Sequence, residues 1–191
     1  KAAGNYVTSI IGARSRSMII LEEEIREIAD DVLVCTDDGS FGTNGLVTNL
    51  LQTLLDANKP IDYILAIGPL KMMQAVTELT RPTGILTYVS LNPIMVDGTG
   101  MCGGCRVLVG KEVKFACVDG PDFDGNQVNF ENILQRNRTY EHEERCALEA
   151  AVEKLERTDQ FEVDQGENPY IKRSPLNGEF KEVNSGLTEA Q

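Results

Sequence analysis

Three of the five cysteines lie close together in one glycine-rich stretch, and this stretch constrains the fold more than any other feature. Cys102 and Cys105 form a C-x2-C motif, and Cys117 follows after eleven residues that are typical of a β-hairpin. Asp97 stands five residues before Cys102, so the whole pattern is D-x4-C-x2-C-x11-C. The glycines among these residues are Gly98, Gly100, Gly103 and Gly104. Such a stretch predicts a tight loop that carries several metal-ligating side chains.

The spacing agrees with that of a known class of metal centre. Plant-type [2Fe–2S] sites have the spacing C-x4-C-x2-C followed by a more distant cysteine, and this chain has that spacing with Asp97 in the first place. Backbone N–H groups that point at the sulfur atoms stabilise the added electron, and glycines allow a tight loop to present them. We therefore predict a [2Fe–2S] cluster held by Asp97, Cys102, Cys105 and Cys117.

Two other interpretations of the cysteines stay open at this point. A structural zinc site also uses C-x2-C, but it normally recruits a second close pair of cysteines or histidines. Here Cys117 stands alone, and the only histidine, His142, lies in a charged helical stretch. Reduced cysteines in a glycine-rich turn, with no metal at all, are the simplest alternative.

The fourth ligand of the cluster has several candidates. Asp97 fits the plant-type spacing, and we favour it for that reason. Aspartates are also ordinary turn residues, and Asp119 lies close to Cys117 in the sequence. Cys35, in an apolar strand, and Cys146, in an acidic helix, are the remaining thiols.

Composition excludes several classes of function. The net charge of −12 argues against nucleic-acid binding, which needs basic patches. An odd number of cysteines, clustered as metal ligands, indicates a reducing compartment rather than a disulfide framework. No apolar run approaches the length of a membrane span, and no signal peptide is recognisable. We expect a cytoplasmic protein that contacts neither nucleic acid nor membrane.

Strand and helix patterns alternate along the first half of the chain. The strands are predicted at residues 6–13, 31–36, 61–67 and 85–91, and the helices at 18–29, at 46–55 and after Gly68-Pro69. The strands are apolar throughout rather than alternating, which is typical of a parallel sheet covered by helices on both faces. This pattern predicts an α/β fold.

The second half of the chain is less regular. Residues 122–127 are predicted to form a turn, residues 128–135 a short helix and residues 140–157 a long charged helix. From residue 158 to 191 the chain is polar and is interpreted as a loosely attached tail.

Ligands of parallel sheets bind at the carboxyl ends of the strands, and three such ends have suitable residues. The first is Gly12-Ala13-Arg14-Ser15-Arg16, where two arginines at a helix N-terminus suit a phosphate as well as they suit solvated caps. The second is the glycine-containing loop 37–45, which is equally consistent with a plain polar turn. The third is Gly68-Pro69, where proline in the first helical turn leaves neighbouring N–H groups free for a ligand.

Taken in order, these motifs resemble one family. The I-G-A-R strand end, the D-D-G-S-x-G loop, the I-G-P-x-x-M-M helix start and the stretch S-L-N-P-I-M-V-D-G-T-G-M-C-G-G-C are similar to the small alpha subunit of ferredoxin:NADP oxidoreductase, also described as sulfide dehydrogenase. The electron-transfer subunit of dihydroorotate dehydrogenase is a close relative of that subunit. The resemblance covers about residues 1–140.

The resemblance implies a ferredoxin-reductase-type nucleotide-binding domain followed by a small [2Fe–2S] domain. It implies that Arg14 and Arg16 lie near the 2′-phosphate of NADP and that Gly68-Pro69 lies near the nicotinamide, whether the cofactor is NADP or NAD. Relatives of the dihydroorotate dehydrogenase type have a cysteine where this chain has Ile67. They also have a cysteine where this chain has Asp97, which favours the alpha subunit.

Two departures from the family shape our expectations. No G-x-G-x-x-G motif is present, so the first strand of the nucleotide domain is expected to lie outside this chain, as is the flavin-binding barrel. Because hydride transfer needs the flavin, we expect the chain alone not to turn over NAD(P)H. Since the absent strand belongs in the middle of the sheet, we also expect partial disorder or self-association there.

These arguments give the following prediction. Residues 1–91 form an incomplete NAD(P)-binding domain, residues 92–138 a [2Fe–2S] domain and residues 139–191 a charged helix and polar tail. The chain is interpreted as the C-terminal part of an electron-transfer subunit that uses NAD(P)H, FAD and the cluster, with a larger flavin and iron–sulfur subunit as partner and ferredoxin as a further candidate. The alternatives are the dihydroorotate dehydrogenase electron-transfer subunit and a metal-stabilised interaction module without enzymatic activity.

Overall fold

The computed structural model describes residues 1–57 and 59–161, with side chains as far as residue 154. Its contacts divide the chain into two units, Lys1–Glu141 and His142–Gln191. In chain order the described elements are β1 (Thr8–Ala13), α1 (Glu22–Ile28), β2 (Asp31–Thr36), β3 (Thr43–Asn44), α2 (Val47–Asp56), β4 (Tyr63–Ile67), α3 (Leu70–Thr80), β5 (Leu86–Ser90), β6 (Arg106–Val109), β7 (Glu112–Phe115), α4 (Ala116–Asp119), β8 (Asp122–Asp124), α5 (Phe130–Asn137) and α6 (Glu141–Phe161).

The predicted parallel α/β architecture is confirmed, with one change. β1, β2 and β3 form one three-stranded sheet, in which β1 pairs with β2 and β2 with β3, all parallel. β4 and β5 form a second parallel pair. The sheet is therefore split into two, and β1 and β4 are edge strands that pair on one side only within the described residues. Both are regular strands, so the partial disorder expected there is not observed.

The second sheet is completed by a strand from beyond the cysteines. β8 pairs antiparallel with β5, with Val89 opposite Phe123. The prediction of a turn at residues 122–127 is therefore wrong for its first half, and only Gly125–Gln127 form a 3-10 turn. Strand β8 belongs to the predicted [2Fe–2S] domain, and its partner β5 belongs to the predicted NAD(P)-binding domain. Because this pairing crosses the predicted boundary between residues 91 and 92, the boundary stays a prediction.

A separate antiparallel hairpin carries the cysteines. β6 and β7 pair from Arg106 opposite Phe115 to Val109 opposite Glu112, as the eleven-residue spacing predicts. The hairpin is attached to the following segment because Gly110 N–H donates to Gln127 O at 2.7 Å and Asn129 N–H donates to Leu108 O at 2.9 Å. Asn129 then caps α5, its side-chain oxygen accepting the N–H of Asn132 at 2.9 Å.

One hydrophobic core joins the helices α2, α3 and α5, the second sheet and the hairpin. Its completely buried members are Met73 on α3, Val89 on β5 and Ile133 on α5, and Val107 on β6 is only 1% exposed. Because apolar burial is the main favourable term in folding, these side chains fix the hairpin against the sheet. The remaining buried residues of the core are Leu51, Ala66, Leu70, Val76, Leu91, Cys105, Ala116, Phe123, Val128 and Phe130.

The second unit contains a single described helix. α6 extends from Glu141 to Phe161, four residues further than the predicted end at residue 157. Leu148 and Val152 on this helix are 65% and 43% exposed. The predicted tail at residues 158–191 lies almost entirely outside the described residues. Among the described helices, none combines the length and the apolar character that a membrane crossing requires.

Candidate iron–sulfur site

The β6–β7 hairpin places two of the predicted ligands side by side. Cys105 precedes β6 and Cys117 lies in the short helix α4 directly after β7, so the paired strands bring both ends of the hairpin together. The N–H of Ala116 donates to the carbonyl of Cys105 at 3.1 Å and fixes this arrangement. The two sulfur atoms lie 3.2 Å apart, within hydrogen-bonding distance of each other. This hydrogen bond is the main cause that raises the pKa of the Cys117 thiol.

The loop before Cys105 directs main-chain N–H groups at sulfur. The N–H of Gly104 donates to Cys102 Sγ at 3.4 Å. A backbone hydrogen bond from Gly100 reaches Cys117 and lowers its pKa, against the larger effect of Cys105. Gly100 has a φ of +81°, and a Cβ there would lie 3.1 Å from the side chain of Val118. Glycine therefore allows the loop to approach α4 closely enough for this contact.

Asp97 is held at the start of the same loop. Its Oδ1 accepts the N–H of Thr99 at 2.9 Å, and its Oδ2 accepts the N–H of Cys102 at 3.1 Å. The hydrogen bond from Thr99 is the main cause that lowers the pKa of the Asp97 carboxyl, so this group is a carboxylate at neutral pH. Each carboxylate oxygen keeps further lone pairs for a metal ion.

The donor set fits a [2Fe–2S] cluster in chemistry, although it is not closed in this structure. One hydrogen bond links Asp97 to the main chain of Cys102, the Cys102 sulfur accepts the N–H of Gly104, and the Cys105 and Cys117 sulfurs form a separate pair. Within the described residues, no three histidine, cysteine or acidic side chains stand close enough together to hold one metal ion. Of the three thiols, Cys102 is exposed, Cys117 is half-buried and Cys105 is buried.

The alternative fourth ligands are occupied elsewhere in the fold. Asp119 Oδ2 accepts the N–H of Phe115 at 2.7 Å and so closes the turn between β7 and α4. Cys35 is buried in β2, where its thiol lies 3.7 Å from the carbonyl oxygen of Ile11, and burial raises its pKa. Cys146 belongs to α6 in the second unit, where its sulfur lies 3.9 Å from His142 Nε2.

The first two predicted nucleotide-binding ends lie together. β1 and β2 end side by side, and Asp37 N–H donates to Ala13 O at 3.1 Å across their loops. The main-chain N–H of Arg16 donates to Ser40 Oγ at 2.9 Å. The Arg16 guanidinium carbon lies 4.9 Å from the centre of the Phe41 ring, which is a cation–π contact. Sequence analysis missed Ser40 and Phe41 as individual residues, although both belong to the predicted loop 37–45.

The arginines do not precede a helix as predicted. Arg16–Met18 form a single 3-10 turn, and α1 begins only at Glu22, with three glutamates in its first turn. Leu21 in between has a φ of +56°, which interrupts the predicted helix. Arg14 and Arg16 are both exposed, and Ser15 is half-buried with its hydroxyl 2.9 Å from that of Ser17.

The remaining predicted positions lie at the other strand ends. Gly12 lies near the end of β1, where a Cβ would stand 2.3 Å from Val47 on α2, so only glycine allows this close packing. Gly68 and Pro69 follow β4 in the second sheet. The carbonyl of Pro69 accepts the N–H groups of Met72 and Met73 and so begins α3.

The positions of the cysteines predict their reactivity in the metal-free protein. Cys102 and Cys146 are exposed, whereas Cys35 is 1% exposed and has a raised pKa. Because alkylation requires an accessible thiolate, iodoacetamide should modify both exposed cysteines at least roughly tenfold faster than Cys35 at pH 8. Mass spectrometry after short labelling times measures the rates, and labelling in urea is the control in which the difference disappears. Equal rates for Cys35 and Cys146 in the folded protein would contradict the structure.

Comparisons with known proteins agree with this geometry. The family described as the iron–sulfur cluster binding domain of dihydroorotate dehydrogenase B matches residues 92–129. A homologue of the dihydroorotate dehydrogenase B (NAD+) electron transfer subunit from Thermotoga maritima is 47% identical over 78% of this chain and 52% of the relative. The dihydroorotate dehydrogenase B electron transfer subunit of Clostridium perfringens is 34% identical over 60% of this chain and 45% of its own length.

A solved structure extends the likeness to the fold. One chain of an NADH-dependent reduced ferredoxin-NADP oxidoreductase, described in a study of flavin-based electron bifurcation, superposes with a TM-score of 0.71 at 44% identity, over 79% of this chain and 54% of that chain. The present chain thus spans about half the length of the relatives it matches. Over that half it is similar to the electron transfer subunits of the dihydroorotate dehydrogenase B type, and its residues 92–129 match the iron–sulfur cluster binding domain described for that enzyme.

Proposed function

We propose that this chain is part of an electron-transfer subunit of an NAD(P)-dependent iron–sulfur flavoprotein oxidoreductase, as in ferredoxin:NADP oxidoreductase. The observation that carries the proposal is the cysteine loop, in which Asp97 accepts the N–H of Cys102, the Cys102 sulfur accepts the N–H of Gly104, and the Cys105 and Cys117 sulfurs lie 3.2 Å apart. The match of residues 92–129 to an iron–sulfur family supports the same conclusion.

In this proposal the four side chains hold a [2Fe–2S] cluster, which passes one electron at a time when bound. The residues around the cluster would determine its stability and its reduction potential. The N–H groups of Gly100 and Gly104 stabilise negative charge on sulfur, and the Cys105–Cys117 pair fixes two ligands on a rigid hairpin. The carboxylate of Asp97 is a harder donor than a thiolate and therefore gives the cluster a different potential from a four-cysteine site.

The nucleotide would bind where the first two parallel strands end. Gly12, Arg14, Ser15 and Arg16 would face its phosphates, with Gly68-Pro69 toward the nicotinamide. Support for this comes from Arg16, whose main-chain N–H donates to Ser40 Oγ and whose guanidinium lies over the Phe41 ring, so that the Arg14–Arg16 segment and the Ser40–Phe41 loop meet at one strand end. Arg14 and Arg16, which are separated by Ser15, carry the positive charge that would bind the additional 2′-phosphate if the nucleotide is NADP.

FAD is the remaining cofactor of the proposal, and it supplies the exchange between hydride and single electrons. We assign none of the described residues to it. The partner would be a larger oxidoreductase subunit that carries flavin and iron–sulfur centres, with ferredoxin as a second electron carrier. The five free cysteines suit the reducing conditions of the cytoplasm.

A second candidate shares the same chemistry with a different partner. The names of the relatives from Thermotoga maritima and Clostridium perfringens favour a dihydroorotate dehydrogenase B as the electron acceptor. Asp97 favours the first candidate, because the resemblance places a cysteine at this position in the dihydroorotate dehydrogenase type. Electron transfer from the reconstituted cluster to each type of partner subunit would distinguish the two.

The central test is to measure the iron and labile sulfide content of the chain after it has been purified in the absence of oxygen. We expect about two irons and two labile sulfides per chain and broad visible absorption that dithionite bleaches. Cys102 should then lose its reactivity toward iodoacetamide, whereas Cys146, outside the ligand set, should keep it. A colourless protein with one bound zinc would instead support a metal-stabilised interaction module, and the electron-transfer proposal would be abandoned.

Asp97→Cys tests the fourth ligand. The substituted thiolate should retain the cluster and shift its reduction equilibrium by about tenfold or more, or about 59 mV for a one-electron couple. An EPR-monitored redox titration measures the shift. Asp119→Asn is the matched control, because that carboxylate accepts the Phe115 N–H and lies outside the predicted ligand set, and it should leave the spectrum unchanged. An unchanged potential and spectrum in Asp97→Cys would remove Asp97 from the ligand set.

We also propose that the chain by itself associates through its open sheet edges. Tyr63, Leu65 and Ile67 on the edge strand β4 are 50%, 47% and 67% exposed, and unpaired edges with apolar side chains are templates for pairing. Light scattering after size exclusion should give at least twice the chain mass, and Leu65→Lys should reduce the associated fraction by about half or more. Val113→Lys, at an exposed position of the separate hairpin, should have no effect. A monomeric wild-type chain at high micromolar concentration would refute the association.

A further inference from the structure

The cysteine loop has a cationic contact that the ligand set does not explain. Arg136 lies in the last turn of α5, and its Nη2 donates to the carbonyl oxygen of Gly104 at 3.0 Å, across 32 residues of sequence. Gly104 is the second of the two residues between Cys102 and Cys105 in the C-x2-C motif. The contact therefore reaches the main chain at the centre of the proposed iron–sulfur site.

The helix that carries Arg136 is firmly anchored. Phe130 is 6% exposed and Ile133 is completely buried in the core, while the Asn129 side chain caps the first turn. Arg136 itself is half-buried. Neighbouring residues already confine the aliphatic part of the Arg136 side chain. Its hydrogen bond to the loop therefore costs little additional conformational entropy.

The hydrogen bond determines which way one peptide group of the loop points. The carbonyl of Gly104 and the N–H of Cys105 belong to the same peptide unit, which is planar and trans, so the two groups point in opposite directions. With the carbonyl held by Arg136, the Cys105 N–H is turned away from α5. The N–H of Gly104, in the preceding peptide unit, points at Cys102 Sγ.

A second cation, Arg106, lies with Arg136 beside this loop. Arg106 and Arg136 both line a surface hollow of about 250 Å³, with Pro93, Ile94 and Val96 on its loop side. The chain as a whole carries a net charge of −12. An electron added to the cluster is an additional negative charge, and a neighbouring cation lowers its energy.

We propose that Arg136 is a positioning residue that holds the C-x2-C loop and favours the reduced form of the cluster. It acts through the Gly104 carbonyl rather than as a ligand. The proposal rests on the cluster of the proposed function, and it adds a determinant of the reduction potential that the cysteine spacing does not contain.

The test compares Arg136→Gln, Arg136→Lys and a matched control, Arg138→Gln, in the chain purified without oxygen. Arg138 is exposed two residues further along, and no side-chain hydrogen bond or ion pair is found for it within the described part of the chain. The readouts are iron and sulfide per chain, the EPR-monitored midpoint potential and the far-UV circular dichroism spectrum. Together they distinguish an effect on the cluster from a general loss of folding.

In Arg136→Gln we expect the reduction equilibrium to move about tenfold toward the oxidised cluster, which is about 59 mV for a one-electron couple. A folded protein that no longer retains iron would support the proposal equally, because the loop would then have been released. Arg136→Lys keeps the charge and a donor, and should stay within about threefold of the wild-type equilibrium. Arg138→Gln should match the wild type.

Several results would overturn the proposal. One is a wild-type potential with full iron content in Arg136→Gln, and another is an equal shift in Arg138→Gln, which would indicate a general effect of surface charge. Global unfolding of Arg136→Gln would also overturn it, since the side chain would then support the whole unit rather than the loop. If the wild-type chain itself binds neither iron nor sulfide, the proposed function fails instead, so the two failures are distinguishable.

Discussion

The candidate site depends on main-chain N–H groups held in fixed directions by a loop that has almost no regular structure. Asp97 accepts two of them, Cys102 accepts one from Gly104, and Cys117 accepts one from Gly100. Hydrogen bonds to charged acceptors are about twice as strong as neutral ones, so the loop is most stable when its acceptors are anionic. A thiolate-bound cluster supplies that negative charge. The same N–H groups therefore stabilise both the shape of the loop and the charge it is proposed to hold.

Such a loop needs rigid support, and the β6–β7 hairpin provides it by packing into the hydrophobic core. The hairpin that carries Cys105 and Cys117 does not belong to either sheet, but its Val107 enters the same core as Val89 of β5 and Ile133 of α5. After the cysteines the chain returns to the second sheet as β8. Packed interiors deform little, so the two thiols are fixed relative to β5 although they lie outside its sheet. This explains why the thiol pair is already formed while Cys102, on the loop, is exposed.

Sequence reasoning recovered what depends on local patterns. The four parallel strands follow from continuous apolar runs, and the hairpin follows from the spacing between Cys105 and Cys117. It failed where pairing with a distant strand determines the conformation. β8 has only three residues, and two of them are aspartates, which are common in turns. These residues form a strand because they pair with β5. The start of α1 was missed because Leu21 adopts a left-handed conformation that leucine rarely takes. The division of the sheet is also a matter of non-local pairing.

Arg136 illustrates the same limit within the site. A side chain that bonds to a glycine carbonyl leaves no spacing or motif in the sequence, and nothing in the sequence distinguishes Arg136, in the last turn of α5, from Arg138, which follows the end of that helix. That direction matters because charges act over short distances here. At physiological ionic strength, exposed charges more than about 8 Å apart are largely screened. The acidic residues that give the chain its net charge of −12 therefore weigh less on the cluster than their number suggests, whereas a guanidinium one hydrogen bond from the C-x2-C motif retains its influence. The reduction potential of the proposed centre is consequently a property of the loop and its immediate neighbours. Those neighbours can be positively charged although the protein as a whole is acidic.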